Sequence, residues 1–148
     1  MVCLYCKELD ILISGDQVLP IITSNVSVSP IQPESSPLVD WFLAHDKLKQ
    51  QVPDSVLVLP SHQLPFKGLH ERLDEVIDHH EERLDSLQKL CEKPQDAQAL
   101  TIQLFDRELD PFQNFMAVGE CISHLHYLMD KGRVERTLDN DRYLYQKV

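Results

Sequence analysis

The run from Gly68 to Lys93 constrains the fold most. Leu69, Leu73, Val76, Ile77, His80, Leu84, Leu87 and Cys91 recur at helical spacing, and Glu, Asp, Arg and Lys fill the positions between them. That pattern predicts a long amphipathic helix with one stripe for a core. Pro94 stops it, because proline lacks the backbone donor a helix interior needs.

Immediately upstream, Ser55–Leu59 reads as a buried strand that runs into a loop carrying His62. A second apolar strand, from Ile11, ends in the polar tip Ser14-Gly15-Asp16. Side chains just past strand ends can reach a site at the carboxyl edge of a sheet. Asp16 and His62 are therefore the candidate metal ligands, two of a set whose other members are not in this chain. The plainer readings are Asp16 as a turn residue bonding its own backbone, and His62 as a loop histidine near two prolines.

The remaining elements follow in order. Val2–Cys6 and Ile11–Ser14 form a hairpin around Lys7–Asp10. Thr23–Ser29 is an extended loop or edge strand between Pro20 and Pro30, and Ile31–Pro37 is a loop. Leu38–Gln50 has helical spacing at Leu38, Trp41, Phe42, His45 and Leu48, with Ser36 as cap and Pro37 at the first helical position. A strand, a helix and a strand in this order predict an α/β crossover. Beyond Pro94, Asp96–Phe105 is a short helix and Arg107–Pro111 a linker. Phe112–Lys131 is a longer helix with Phe115, Met116, Gly119, Ile122, Leu125, His126 and Met129 on one side and Gly132 as its C-terminal cap. Val134–Thr137 and Arg142–Gln146 form a hairpin around Leu138–Asp141. Two helices and a hairpin resemble a winged-helix arrangement.

Composition narrows the function. The chain has 148 residues, enough for one domain or two small ones, and a formal net charge of -10. That charge opposes broad binding to DNA or to anionic membranes. No apolar run approaches the roughly 18–20 residues of a membrane span, and the N-terminal residues lack a signal-peptide pattern. Cys3, Cys6, Cys91 and Cys121 are expected as reduced thiols, which places the protein inside the cell, in the cytoplasm or else in mitochondria. Cys3 and Cys6 lie three apart on a strand and face opposite sides, so they read as small hydrophobes. The chain opens directly on a strand, as the interior of a longer protein would. His124-Leu125-His126 with Asp130 imitates a metal motif, but residues two apart on a helix point about 200° apart. His80 falls on the apolar stripe and reads as a core histidine. The tail from Asp96 has six basic residues against nine acidic ones. Lys131, Arg133, Arg136 and Arg142 could still form a local patch for RNA.

Four segments, Leu12–Pro20 (LISGDQVLP), Asn25–Pro33 (NVSVSPIQP), Val56–Leu84 (VLVLPSHQLPFKGLHERLDEVIDHHEERL) and Leu109–Arg136 (LDPFQNFMAVGECISHLHYLMDKGRVER), together resemble metallo-β-lactamase-fold hydrolases. The narrower likeness is to the branch with a winged-helix-like C-terminal domain, which includes glyoxalase-II-like hydrolases and a lactamase-like endoribonuclease. The resemblance implies an α/β fold: the C-terminal half of a metallo-β-lactamase αββα sandwich over residues 1–93, ending in the long helix, then a small winged-helix-like α+β domain over residues 95–148. It implies one or two zinc ions in the parent family, with Asp16 as the bridging carboxylate and His62 as the last loop ligand. The HxHxDH segment that supplies most ligands in that family is not in this sequence. Ser61 and Gln63 flank His62 where the family usually has glycines, which predicts a stiffer loop.

The implied function is zinc-dependent hydrolysis of an ester, thioester or phosphodiester. Catalytic zinc commonly has three protein ligands and a water, so no catalytic set is complete here. The chain alone is expected to bind zinc weakly or not at all, and to be inactive. The alternatives are an endoribonuclease of the same fold, acting on RNA, and a non-catalytic interaction remnant that forms a homodimer through its long helix or an uncovered sheet face.

Overall fold

The computed structural model describes residues 2–105 and 108–148. It separates into two compact units. The first holds the residues up to Asn25 together with Phe42–His79, and the second holds Val26–Trp41 and His80–Val148. Arg107, the expected start of the linker and one of the tail's basic residues, lies outside the described residues.

A three-stranded sheet organises the first unit. β1 (Leu4–Cys6) and β2 (Ile11–Gly15) form the expected hairpin, with Leu4 opposite Ile13 and Cys6 opposite Ile11. Asp10 closes the turn at a φ of +51°. Its carboxylate accepts a hydrogen bond from Ser55 Oγ at 2.8 Å, and its carbonyl accepts one from the Leu57 amide at 2.9 Å. These bonds start β3 (Leu57–Pro60) in register beside β2, parallel to it, with Leu12 next to Val58. Parallel neighbours need a crossover connection, and it includes α1 (Pro37–Gln51), which enters this unit at Phe42. The Thr23–Ser29 segment forms no strand. Strand alternation gives the sheet two faces. Leu12 and Val58 are fully buried and join Val18, Val52, Val56, Leu69 and Leu73 in one core. On the opposite face, the paired Leu4 and Ile13 are 61% and 48% exposed.

The predicted long helix is α2 (Leu69–Leu90), which ends before Pro94. Its stripe is buried as expected, and it serves both cores: Leu69 and Leu73 in the first unit, Leu84 and Leu87 in the second. In the second unit, α3 (Ala97–Leu104) is capped by Asp96. α4 (Pro111–Asp130) opens with a capping box between Asp110 and Gln113. α4 ends at Asp130 with Lys131 as its cap residue, and Gly132, expected at the cap, follows one position later with a φ of +66°. The Arg133 amide bonds the Leu128 carbonyl and the Gly132 amide bonds the Met129 carbonyl, both at 2.9 Å, which satisfies the last free carbonyls. β4 (Val134–Asp139) and β5 (Arg142–Lys147) then pair through a two-residue turn, Asn140-Asp141, with φ of +46° and +62°. Positive φ at both positions matches the twist of the strands they join.

The side of α4 that is buried differs from the reading of its sequence. Phe115 is 57% exposed, while Cys121, Ser123, His124 and Leu128 are buried. From Cys121 to Leu128 nearly every position is covered, so no single stripe describes it.

Candidate metal centre

Two strand ends build the site. At the end of β2 the ladder slips between Ile13 and Gly15, and Gly15 takes a φ of +56°. The Gln17 amide then bonds the Ser14 carbonyl at 3.0 Å, and Ser14 Oγ bonds the Val18 carbonyl at 2.8 Å. This tight turn leaves Asp16 at its tip. At the end of β3, the Ser61 amide donates to the Gly15 carbonyl at 3.1 Å, so the His62 loop leaves beside the Asp16 turn. Phe66 closes that loop by exchanging two bonds with Val58, at 2.9 and 3.1 Å.

The two predicted ligands meet. His62 Nε2 stands 3.4 Å from Asp16 Oδ1, and both side chains are open to solvent. Ser61 Oγ donates to the same Asp16 oxygen. Two donors bound at about 2.1 Å to one tetrahedral ion stand about 3.4 Å apart. An imidazole nitrogen and a carboxylate oxygen at this separation fit part of a zinc site. Among the described residues, no group of three or more His, Cys, Asp or Glu is placed to hold a metal ion. A cleft of about 580 Å³ lined by Tyr5, Leu12, Gln17, Leu48 and Val52 contains neither Asp16 nor His62.

The other histidines have different work. His124 Nδ1 lies 2.8 Å from the Glu120 carbonyl one turn earlier, which makes it a donor and leaves Nε2 to accept from His80 Nδ1 at 3.0 Å. Trp41 packs edge-on against the His80 ring, with centroids 4.5 Å apart. His126 turns away from His124 and bonds the Ser35 carbonyl through Nδ1 at 2.7 Å. The HxH in α4 is thus divided between two packing partners, as its helical phase requires. His80 is the core histidine its stripe predicted. His45 contacts Gln17 at 3.3 Å.

The basic residues around the β4–β5 hairpin are mostly matched by acids. Arg133 pairs with Asp85 at 2.6 Å, Arg136 with Glu34 at 2.8 Å, and Arg142 with Asp96 at 3.8 Å. Arg136 also stacks over Tyr143, and Lys131 lies over Tyr127. The Arg136 guanidinium holds the Glu34 carboxyl below its ordinary range. Burial raises the Cys91 thiol to about 11 and the Cys121 thiol to about 12, so neither is a ready nucleophile. Cys3 donates to the Ser14 carbonyl while Cys6 donates to Glu8.

Sequence reasoning noted Ser61 and Gln63 only as departures from glycine. The signal that could have marked them was their polarity on both sides of the candidate ligand.

Comparison with known proteins bears on the fold. Residues 84–148 match the model of the metallo-β-lactamase-like C-terminal domain. A β-lactamase domain protein from Burkholderia ambifaria is similar over 99% of this chain, at 36% identity and a TM-score of 0.93. A metallo-β-lactamase family protein from Thermus thermophilus is similar over 99% of the chain, at 28% identity and a TM-score of 0.84. The chain spans 44% of the length of each. No curated protein matches it significantly. The chain shares its fold with part of these metallo-β-lactamase-like proteins, and residues 84–148 are similar to their C-terminal domain. Among the described residues, no helix is long and apolar enough to cross a membrane.

Proposed function

We propose that this chain supplies Asp16 and His62 to a zinc-dependent hydrolase site whose remaining ligands come from polypeptide outside these 148 residues. The observation that carries the proposal is the 3.4 Å approach of His62 Nε2 to Asp16 Oδ1 at neighbouring strand ends. Zinc, when bound, is a Lewis acid that lets water ionise near neutral pH. The chain's own part is to hold two donors. The Asp16 carboxylate is oriented by the Ser61 hydroxyl, and His62 offers Nε2 from a loop sealed at Val58 and Phe66. The reaction class is hydrolysis of an ester, thioester or phosphodiester. Two ligands are fewer than the three a catalytic zinc commonly has, so the purified chain should turn over none of these substrates. Hydrolysis by this chain that a chelator abolishes would contradict the proposal.

The same reading takes residues 1–93 as a partial metallo-β-lactamase-like domain and residues 95–148 as a small winged-helix-like domain. The order of α3, α4 and the β4–β5 hairpin supports the second part. The four cysteines, read as reduced thiols, support an intracellular location. The endoribonuclease alternative needs a basic surface, and the carboxylate partners of Arg133, Arg136 and Arg142 count against it.

A second reading has one observation in its favour. Leu4 and Ile13 lie side by side on an exposed sheet face beside the edge strand β1, and such faces invite association. In this reading the chain is a non-catalytic interaction module that pairs with a second copy. Light scattering should then give a dimer that Ile13→Glu converts to monomer. A wild-type monomer at every concentration removes this reading.

A further inference from the structure

We propose that Ser61 and Gln63 are positioning residues that hold the exposed His62 against Asp16. The inference deepens the zinc reading above and rests on it for its purpose, though the brace itself has its own test.

His62 projects into water with its side chain 64% exposed, and nothing in a core fixes it. Left alone, such a side chain samples several rotamers, and a metal would have to order it on binding. Three anchors on the adjacent residues oppose that freedom. The Ser61 amide ties the loop to the Gly15 carbonyl at 3.1 Å. The Ser61 hydroxyl donates to Asp16 Oδ1, the oxygen that faces His62 Nε2. On the other side, Gln63 Oε1 accepts from the Ile21 amide at 3.1 Å. Ser61 therefore fixes the carboxylate and the loop together, and Gln63 fastens the loop to the chain that follows β2.

Gln63 has a φ of +71°, in the left-handed region where glycine would sit without strain. Glycine at this position would relax the backbone but could not make the bond to Ile21. A side chain in that conformation is accounted for by the contact it makes. Both residues are exposed, so neither contributes to a core, and their variants should fold. That separates positioning from stability.

The test uses Ser61→Ala, Ser61→Thr, Gln63→Gly, and the Ser61→Ala/Gln63→Gly pair. Thermal unfolding first confirms that each folds like wild type. In metal-free protein, 15N relaxation should give a His62 backbone order parameter of about 0.85 in wild type, falling below ~0.6 in the double variant. Zinc is then titrated while the His62 ring is followed by NMR. Half-saturation should rise by about tenfold in Ser61→Ala, the scale expected for a lost partner of a metal ligand. Ser61→Thr, which keeps the hydroxyl, should stay within about twofold of wild type. An order parameter that is equally high in the double variant, or already loop-like in wild type, overturns the brace. If the brace stands but zinc moves the His62 signal equally in wild type and in Asp16→Ala, it is the zinc reading that fails.

Discussion

Gly119 shows how much a single missing side chain can decide. The Val28 amide bonds the Gly119 carbonyl at 3.0 Å, and Ser27 Oγ bonds the Met116 carbonyl at 3.1 Å, so the extended 26–28 segment lies directly on α4. A Cβ at position 119 would stand 2.9 Å from Ser27 Cβ and 3.2 Å from the Val28 carbonyl. Gly119→Ala should cost about 1–3 kcal/mol, as overpacking does, and urea unfolding measures it. The next residue, Glu120, is a carboxyl whose burial raises its pKa, although Arg83 at 3.2 Å pulls it back. The native state then keeps that proton to higher pH than the unfolded chain. Its contribution to stability falls as pH rises from 4.5 through the raised native value. Glu120→Gln should gain on wild type across that window and match it at lower pH, read from denaturation midpoints against pH. Glu34 behaves in the opposite sense. Its pKa is lowered, so its bond to Arg136 stabilises fully above 4.5 and fades as pH falls through the native value. At this scale, some residues were legible and others were not. His80 was read as core because its phase on α2 is local information. Its partner His124 is 44 residues away, and no periodicity carries such a pairing. Asp16 and His62 were singled out through strand-end position and family resemblance, and the folded chain brings them together. The bonds of Ser61 and Gln63 depend on two turns meeting, which no single stretch of sequence encodes.

At the scale of elements, local chemistry fixes boundaries well and fixes faces less well. The capping box at Asp110 satisfies free amides at the start of α4, with the Gln113 amide bonding Asp110 Oδ1 at 2.8 Å. Asp110→Ala should lose about 1 kcal/mol. Gly132→Ala should lose about 1 kcal/mol because a Cβ is strained at a φ of +66°, although nothing lies within 4 Å of the space it would fill. Chemical unfolding of the two variants separates these local costs from packing losses, since neither side chain lies in a core. The α2 stripe was legible because that helix offers one covered side and one solvated side. α4 was misread because its C-terminal half is covered on nearly all sides, and a helix buried all round has no amphipathic phase to find. The β2–β3 pairing was legible as a strand–helix–strand order. The slip at Ile13 and Gly15 that aims Asp16 was not: its one trace in residue type is Gly15, which takes a left-handed φ of +56° at the slip.

At the scale of the whole molecule, the chain spans 44% of the length of each of the two structural relatives, and its candidate metal centre holds two donors. Among the described residues, no group of three or more His, Cys, Asp or Glu is placed to hold a metal ion. On the proposed reading, Asp16 and His62 are one part of a shared site, joined at neighbouring strand ends. The direct measurement is zinc uptake by equilibrium dialysis, read by elemental mass spectrometry, on wild type, Asp16→Ala and His62→Ala. Weak uptake in wild type that falls to background in both variants is the expected result. Zinc retained equally by all three proteins would contradict it.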